Sequence, residues 1–109
     1  GRNDDPKSVS KAVAALHKAG VNERLMIDCS HGNSSKDHRR QREVVQSILQ
    51  QRAGESSPIV GAMIESHLIE GRQDCRDPKA LVYGQSITDA CIGWEETDEL
   101  LRMLAAASA

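Results

Sequence analysis

The chain has 109 residues, of which 39% are hydrophobic and 28% charged, and its formal net charge is −2. This near-neutral balance argues against nucleic acid or an anionic membrane as a partner. No apolar run approaches the length of a membrane span, and the opening residues GRNDDPKS do not have the pattern of a signal peptide. The cysteines form no CxxC pair, which indicates reduced thiols in a cytoplasmic protein: Cys29, Cys75 and Cys91.

The first half of the chain predicts a helix followed by a strand. Asp5 can cap the free amide groups of a helix over about 6–19, Pro6 fits its first position, and Gly20 ends it. The short apolar run 25–27 then predicts a strand that is buried on both faces, as in a parallel sheet.

The second half repeats this order. A basic amphipathic helix is predicted over about 37–53, with Asn33, Ser34 and Ser35 as its caps. A second buried apolar run over 59–64 ends in a carboxylate, and a long polar stretch over about 66–86 predicts a functional loop. The last predicted helix covers about 93–107, with five residues facing inward: Trp94, Thr97, Leu100, Leu101 and Leu104.

Alternation of helices and strands predicts the α/β class with a parallel sheet. Two strands do not make a stable parallel sheet alone, because each needs neighbours and a cover on both faces. We therefore expect a part of a larger α/β protein; the alternative is a small two-stranded α/β domain.

Three side chains are candidates for chemistry. His31 and Glu65 follow the two predicted strands, and Asp89 precedes the last helix. Catalytic groups in α/β folds lie beyond the carboxyl ends of strands. An imidazole and two carboxylates suit Mn²⁺, Fe²⁺, Co²⁺ or Zn²⁺. The triplet alone is not specific, because Asp89 could also be a helix cap and His31 a structural residue.

Three segments, in order, resemble signatures of the bacterial and fungal type I 3-deoxy-D-arabino-heptulosonate-7-phosphate (DAHP) synthases. They are MIDCSHGNSSK at 26–36, GAMIESHLIEG at 61–71 and YGQSITDACIGWE at 83–95. The spacings from His31 to Glu65 and from Glu65 to Asp89, 34 and 24 residues, are also similar to those of the family. The resemblance covers nearly the whole chain.

The resemblance implies that residues 1–109 are the C-terminal portion of a (β/α)₈ TIM barrel and not a complete domain. The helices and strands would be helix 6, strand 7, helix 7, strand 8 and helix 8. It implies that His31, Glu65 and Asp89 bind a divalent metal, and that His31 and Asp89 also act in catalysis. The family's fourth ligand is a cysteine from an earlier barrel segment, for which Cys29 is not a substitute.

The implied reaction condenses phosphoenolpyruvate with erythrose 4-phosphate and releases phosphate, as the first step of the shikimate pathway. The family also implies a homo-oligomeric parent enzyme in the cytoplasm, and we expect this chain alone to be inactive. Two alternatives remain: a non-catalytic metal- or anion-binding α/β module, and a related phosphoenolpyruvate-condensing aldolase. Among the other polar residues, His67 is a candidate to orient a ligand, whereas a solvated helix face is expected for Lys36, Arg39 and Arg40.

Overall fold

A computed structural model describes residues 1–54 and 56–108, with helices and strands in alternation. The helices are α1 (Pro6–Lys18), α2 (Gln41–Arg52) and α3 (Trp94–Ser108), and two short 3₁₀ turns cover His38–Arg40 and Pro78–Ala80. The strands are β1 (Leu25–Asp28), β2 (Ile59–Met63), β3 (Ile69–Arg72) and β4 (Gln85–Ser86). This order confirms the α/β class. None of the helices in the described ranges is long and apolar enough to cross a membrane.

The first sheet consists of β1 and β2, which are parallel and are connected through α2. Leu25 pairs with Ile59 at one end of the sheet, and Asp28 pairs with Met63 at the other. A core lies between this sheet and the helices, and its buried members come from every helix and both strands: Val9, Ile27, Cys29, Val44, Val45, Ile48, Ile59, Ile92 and Leu100. Parallel pairing places the carboxyl ends of both strands at one edge of the molecule.

The other face of this sheet is open to solvent within this chain. Met26 is 67% exposed and Val60 is 54% exposed. The prediction that both faces are buried is therefore wrong for the described residues, because the helices cover one face only. Apolar side chains on an uncovered sheet face mark a surface that is suited to further packing.

The segment between β1 and α2 differs from the predicted capping. Residues 30–36 form consecutive turns, and the side chain of Asp37 caps the 3₁₀ turn by accepting from the Arg39 N–H. Asn33 instead binds the strand end, because its side-chain amide donates to the Asp28 carbonyl at 2.9 Å. The predicted role of Asn33, Ser34 and Ser35 as caps of α2 is therefore wrong, since residues 36–40 separate them from the helix.

The stretch 66–86 contains regular structure that its polar composition did not predict. Strands β3 and β4 pair in parallel, and the Gln73 side chain closes the loop between them. Its amide donates to the Val82 carbonyl and accepts the Val82 N–H, both at 2.8 Å. These bonds give the segment an ordered path from β2 to α3.

The inward face of α3 is partly as predicted. Thr97 and Leu100 are buried and Leu104 is partly buried, which confirms three of the five residues. Trp94 is 56% exposed and Leu101 is 50% exposed, so those two expectations are wrong. The buried stripe is narrow because α3 contacts the rest of the described chain mainly through α2.

Candidate metal centre

His31 lies just beyond the carboxyl end of β1. Its backbone is left-handed, with φ of 51°, which is uncommon for a residue with a β-carbon. The turn that holds it is closed by hydrogen bonds from the Asn33 N–H to the Ser30 carbonyl and from the Lys36 N–H to the His31 carbonyl. The strand therefore ends before His31, and the imidazole leaves the line of the strand.

Asp28 fixes the orientation of the His31 ring. Its carboxylate lies 2.9 Å from His31 Nδ1 and also accepts the backbone N–H and the hydroxyl of Ser30. A carboxylate can only accept, so the Nδ1 proton lies on this side of the ring. The other ring nitrogen, Nε2, then presents its lone pair outward, which is the arrangement of a metal-binding histidine with a carboxylate partner.

Glu65 follows β2, and its main chain is held on both sides. The Gln41 side chain accepts the Glu65 N–H at 2.8 Å and donates to the Glu65 carbonyl at 2.9 Å. The Ile92 N–H donates to the same carbonyl at 3.1 Å. The carboxylate is mostly shielded from solvent, with 24% of the side chain exposed.

Asp89 lies on the segment that connects β4 to α3. Cys91 and Gly71 exchange two backbone hydrogen bonds just after it, and the Arg72 guanidinium donates to the Thr88 carbonyl at 2.9 Å just before it. These contacts attach both flanks of Asp89 to β3. The Asp89 carboxylate is 67% exposed and faces the imidazole.

The structure brings His31, Glu65 and Asp89 together. His31 Nε2 is 3.3 Å from Glu65 Oε1 and 3.5 Å from Asp89 Oδ2, and one ligand atom from each residue lies within 4.8 Å of the others. Three ligand atoms around one ion, each at about 2.0–2.2 Å, would be separated by roughly 4 Å or less. The three residues would share one divalent cation after a small decrease in the separations of their ligand atoms.

The charges in the cluster favour a cation. The hydrogen bond to Asp28 and the charge of Glu65 raise the pKa of His31. Burial, together with the charge of Asp89, raises the pKa of Glu65. Burial opposes ionisation of Asp28, but hydrogen bonds from His31 and Ser30 hold its pKa below the usual value. The two shifts share a cause, which is the negative charge gathered around the His31 ring, and a bound cation would offset that charge.

A cavity of about 320 Å³ opens beside the three residues. Its lining includes Ser30, Ser34, Lys36 and His38, so Lys36 borders the site. His38 Nε2 contacts Glu70 Oε1 at 2.9 Å. A cationic side chain next to a metal centre can take part in binding an anionic ligand.

Other residues considered from the sequence lie elsewhere. Cys29 is fully buried in the core, where burial raises the pKa of its thiol to about 12. Cys91 is also buried. His67 accepts the Leu68 N–H through its own Nδ1. Arg39 and Arg40 are exposed, as expected of a solvated surface.

Two residues of the site were missed in the sequence. Asp28 contacts the His31 ring, and Gln41 contacts the main chain of Glu65. Neither residue was assigned a role from the sequence. The position of Asp28, three residues before His31, was a usable signal. Gln41 lies 24 residues before Glu65, and no local pattern connects the two.

A family model described as the DAHP synthetase I family matches residues 1–102. The chain is 50% identical over 103 residues to the Phe-sensitive phospho-2-dehydro-3-deoxyheptonate aldolase of Escherichia coli K12, covering 94% of this chain and 29% of that protein. It is also 50% identical over 113 residues to the tyrosine-inhibited phospho-2-dehydro-3-deoxyheptonate aldolase of Schizosaccharomyces pombe, covering 98% of this chain and 30% of that protein.

A solved structure gives the same result in three dimensions. The phospho-2-dehydro-3-deoxyheptonate aldolase of Francisella tularensis superposes with a TM-score of 0.91 at 48% sequence identity. The match covers 98% of this chain and 31% of that chain. The chain thus spans about 30% of the length of these relatives.

Proposed function

The chain belongs to the DAHP synthetase I family, and we propose that residues 1–109 form the C-terminal part of a (β/α)₈ barrel domain. In this assignment α1 is helix 6, β1 is strand 7, α2 is helix 7, β2 is strand 8 and α3 is helix 8. The parallel pairing of β1 with β2 supports it, and so does the uncovered sheet face, which would border the barrel interior.

His31, Glu65 and Asp89 are the residues of this chain that hold a divalent metal ion. The convergence of their ligand atoms within 4.8 Å is the observation that carries this proposal. A nitrogen and two carboxylate oxygens suit Mn²⁺, Fe²⁺, Co²⁺ or Zn²⁺. The metal would supply Lewis-acid polarisation of an aldehyde oxygen.

The whole protein condenses phosphoenolpyruvate with erythrose 4-phosphate. The methylene carbon of phosphoenolpyruvate bonds to the aldehyde carbon, the aldehyde oxygen gains a proton, and water replaces phosphate on the adjacent carbon. His31 and Asp89 face the cavity and act in this step, with Asp89 on its exposed side. The product is DAHP, which begins aromatic amino acid biosynthesis. The names of the relatives, phospho-2-dehydro-3-deoxyheptonate aldolases, support this assignment. We also assign the parent protein to the cytoplasm as a homo-oligomer.

The metal site is tested by titrating Co²⁺ into the whole protein that contains this chain. We expect Glu65→Gln to weaken binding by more than the roughly 10–100-fold that is typical of a lost outer-shell partner. Glu23→Gln is the matched control, because Glu23 pairs with His17 at 2.8 Å without any part in the cluster. Equal affinity of the wild-type protein and Glu65→Gln would refute the site.

The reaction is tested in the same protein by following phosphate release. Release should require phosphoenolpyruvate, erythrose 4-phosphate and a divalent metal together, and a chelator should stop it. Turnover that persists with another aldehyde phosphate in place of erythrose 4-phosphate, at the same efficiency, would assign a different member of this class of condensing enzymes.

A further inference from the structure

We propose that Gln41 is a positioning residue for the metal site, and that it acts by fixing the main chain of Glu65. This inference rests on the proposed metal site and adds a residue that has no contact with the ion itself. Gln41 is the first residue of α2 and is fully buried. A buried primary amide is costly unless both of its ends are bonded, and here both ends bind Glu65.

The two hydrogen bonds take the place of backbone pairing that β1 does not provide to Glu65. The β1–β2 pairing finishes with the Cys29 N–H donating to the Met63 carbonyl at 2.8 Å. Two residues later, Glu65 has no partner on β1, because the chain has already turned away toward His31. The Gln41 amide has the donor and acceptor of a peptide group, so it continues the ladder where the backbone of β1 does not.

The anchor behind Gln41 is rigid. Val44, Val45 and Ile48 lie on the same helix and are each no more than 1% exposed. Their packing in the core fixes α2 relative to the sheet, and Gln41 transmits that position to Glu65. The Glu65 carbonyl also accepts the Ile92 N–H, so the same peptide is connected to the segment that carries Asp89.

Metal affinity depends on the main-chain position of Glu65. Ligand distances must fall within about 0.2 Å of their preferred values, so a ligand on a displaced main chain costs affinity even when its side chain is intact. With the main chain of Glu65 where it is, Glu65 Oε1 lies 3.3 Å from His31 Nε2. Loss of Gln41 frees the Glu65 N–H and removes one of the two donors to its carbonyl.

The test compares two glutamine-to-methionine variants in the whole protein that contains this chain. Gln41→Met keeps side-chain length and removes both bonds to Glu65. Gln51→Met is the control: Gln51 also lies on α2, and its partly buried amide donates to the Asp4 carbonyl and to Ser47 without any contact with Glu65. Co²⁺ affinity and the visible absorption spectrum of the Co²⁺ complex are measured for each variant.

We expect Gln41→Met to weaken Co²⁺ binding by about 10–100-fold and to alter the spectrum. We expect Gln51→Met to match the wild type in affinity and spectrum, even if both variants unfold at lower urea concentration. Equal Co²⁺ affinity for Gln41→Met and Gln51→Met would overturn the inference while leaving the metal site standing. A wild-type protein that binds no Co²⁺ would overturn both.

A second measurement needs no variant. Hydrogen exchange of the Glu65 amide in the wild-type protein should be slow, because the Gln41 carbonyl oxygen accepts it inside the core. Exchange at the rate of a free loop amide would contradict the hydrogen bond from the Glu65 N–H to Gln41, whatever the stability of Gln41→Met.

Discussion

At the scale of single residues, the site depends on how the His31 ring is turned. The left-handed backbone directs the imidazole away from the strand, and Asp28 then holds Nδ1 so that Nε2 faces Glu65 and Asp89. Left-handed backbone is unfavourable for a non-glycine residue, and such conformations concentrate at functional sites. The hydrogen bonds of the 30–36 turn offset that cost.

We predict that Asp28→Asn weakens metal binding by about 10–100-fold without removing a ligand. An amide oxygen is a weaker acceptor than a carboxylate, and the amide can also rotate to present its NH₂ group to the ring. Isothermal titration with Mn²⁺ measures the effect.

The control for this prediction is Asp77→Asn. Asp77 also accepts a backbone N–H, that of Lys79, but it lies on the loop between β3 and β4. The variant should bind Mn²⁺ as the wild type does. An Asp28→Asn variant with wild-type affinity would show that the turn alone orients His31.

At the scale of elements, the segment before α1 is attached to α2. The Asp4 side chain is buried and receives two hydrogen bonds from the Arg2 guanidinium, at 3.0 and 2.9 Å. The Asp4 carbonyl accepts from Gln51 at 2.6 Å. These contacts place the start of α1, which Asp5 then caps through the Ser8 N–H. The segment therefore contributes to packing α1 against α2.

Asp4 makes stability depend on pH. The hydrogen bonds from Arg2 hold the pKa of Asp4 below the ordinary value of an aspartate. A carboxyl whose pKa is lower in the folded state stabilises the fold above the unfolded pKa, and this stabilisation is lost as pH falls through the folded pKa. We expect Asp4→Asn to lower the free energy of unfolding at pH 7 by about 1.5–3 kcal/mol, the range for hydrogen bonds to charged groups.

Urea unfolding at pH 7 and at pH 2.5 checks this prediction, and the penalty of Asp4→Asn should be smaller at the lower pH. Asp98→Asn is the control, because Asp98 forms an exposed pair with Arg102, and such pairs contribute little. A penalty that is equal at both pH values would assign the role of Asp4 to packing and not to its charge.

At the scale of the whole molecule, the described residues belong to a chain that spans about 30% of the length of its relatives. They bring three ligand atoms together, and the family resemblance assigns the fourth ligand to an earlier barrel segment. The apolar face with Met26 and Val60 is open. The alternative of a self-sufficient small metal-binding module is disfavoured, because such a domain would cover its own sheet.

We predict that the 109-residue chain by itself releases no phosphate from phosphoenolpyruvate in the presence of erythrose 4-phosphate and Mn²⁺. The proposed metal site has three ligands in this chain, and the resemblance implies that the fourth comes from an earlier barrel segment, so we expect the isolated chain to lack a complete metal site. The whole protein, assayed in parallel, provides the positive control. Turnover by the isolated chain above the protein-free blank would refute this prediction.

The sequence by itself determined the order of α1, β1, α2, β2 and α3 and the three candidate ligands. Periodicity and caps such as Asp5 act over a few residues, so α1 was predicted within one residue of its observed end. The family resemblance also rests on local information, since each of the three signature segments is a short continuous stretch of sequence, and the comparisons confirm the family. The triplet of His31, Glu65 and Asp89 follows from strand ends and these segments; its role as a metal site stays a prediction.

Only the tertiary structure decided which residues support the triplet. The two bonds between Gln41 and Glu65 join positions 24 apart, and the pairing of β3 with β4 joins short polar strands, so neither has a local pattern. Exposure also depends on the tertiary structure: Trp94 and Met26 are apolar, yet each is more than half exposed. Burial and long-range hydrogen bonds depend on which surfaces meet in three dimensions, and sequence periodicity does not specify that.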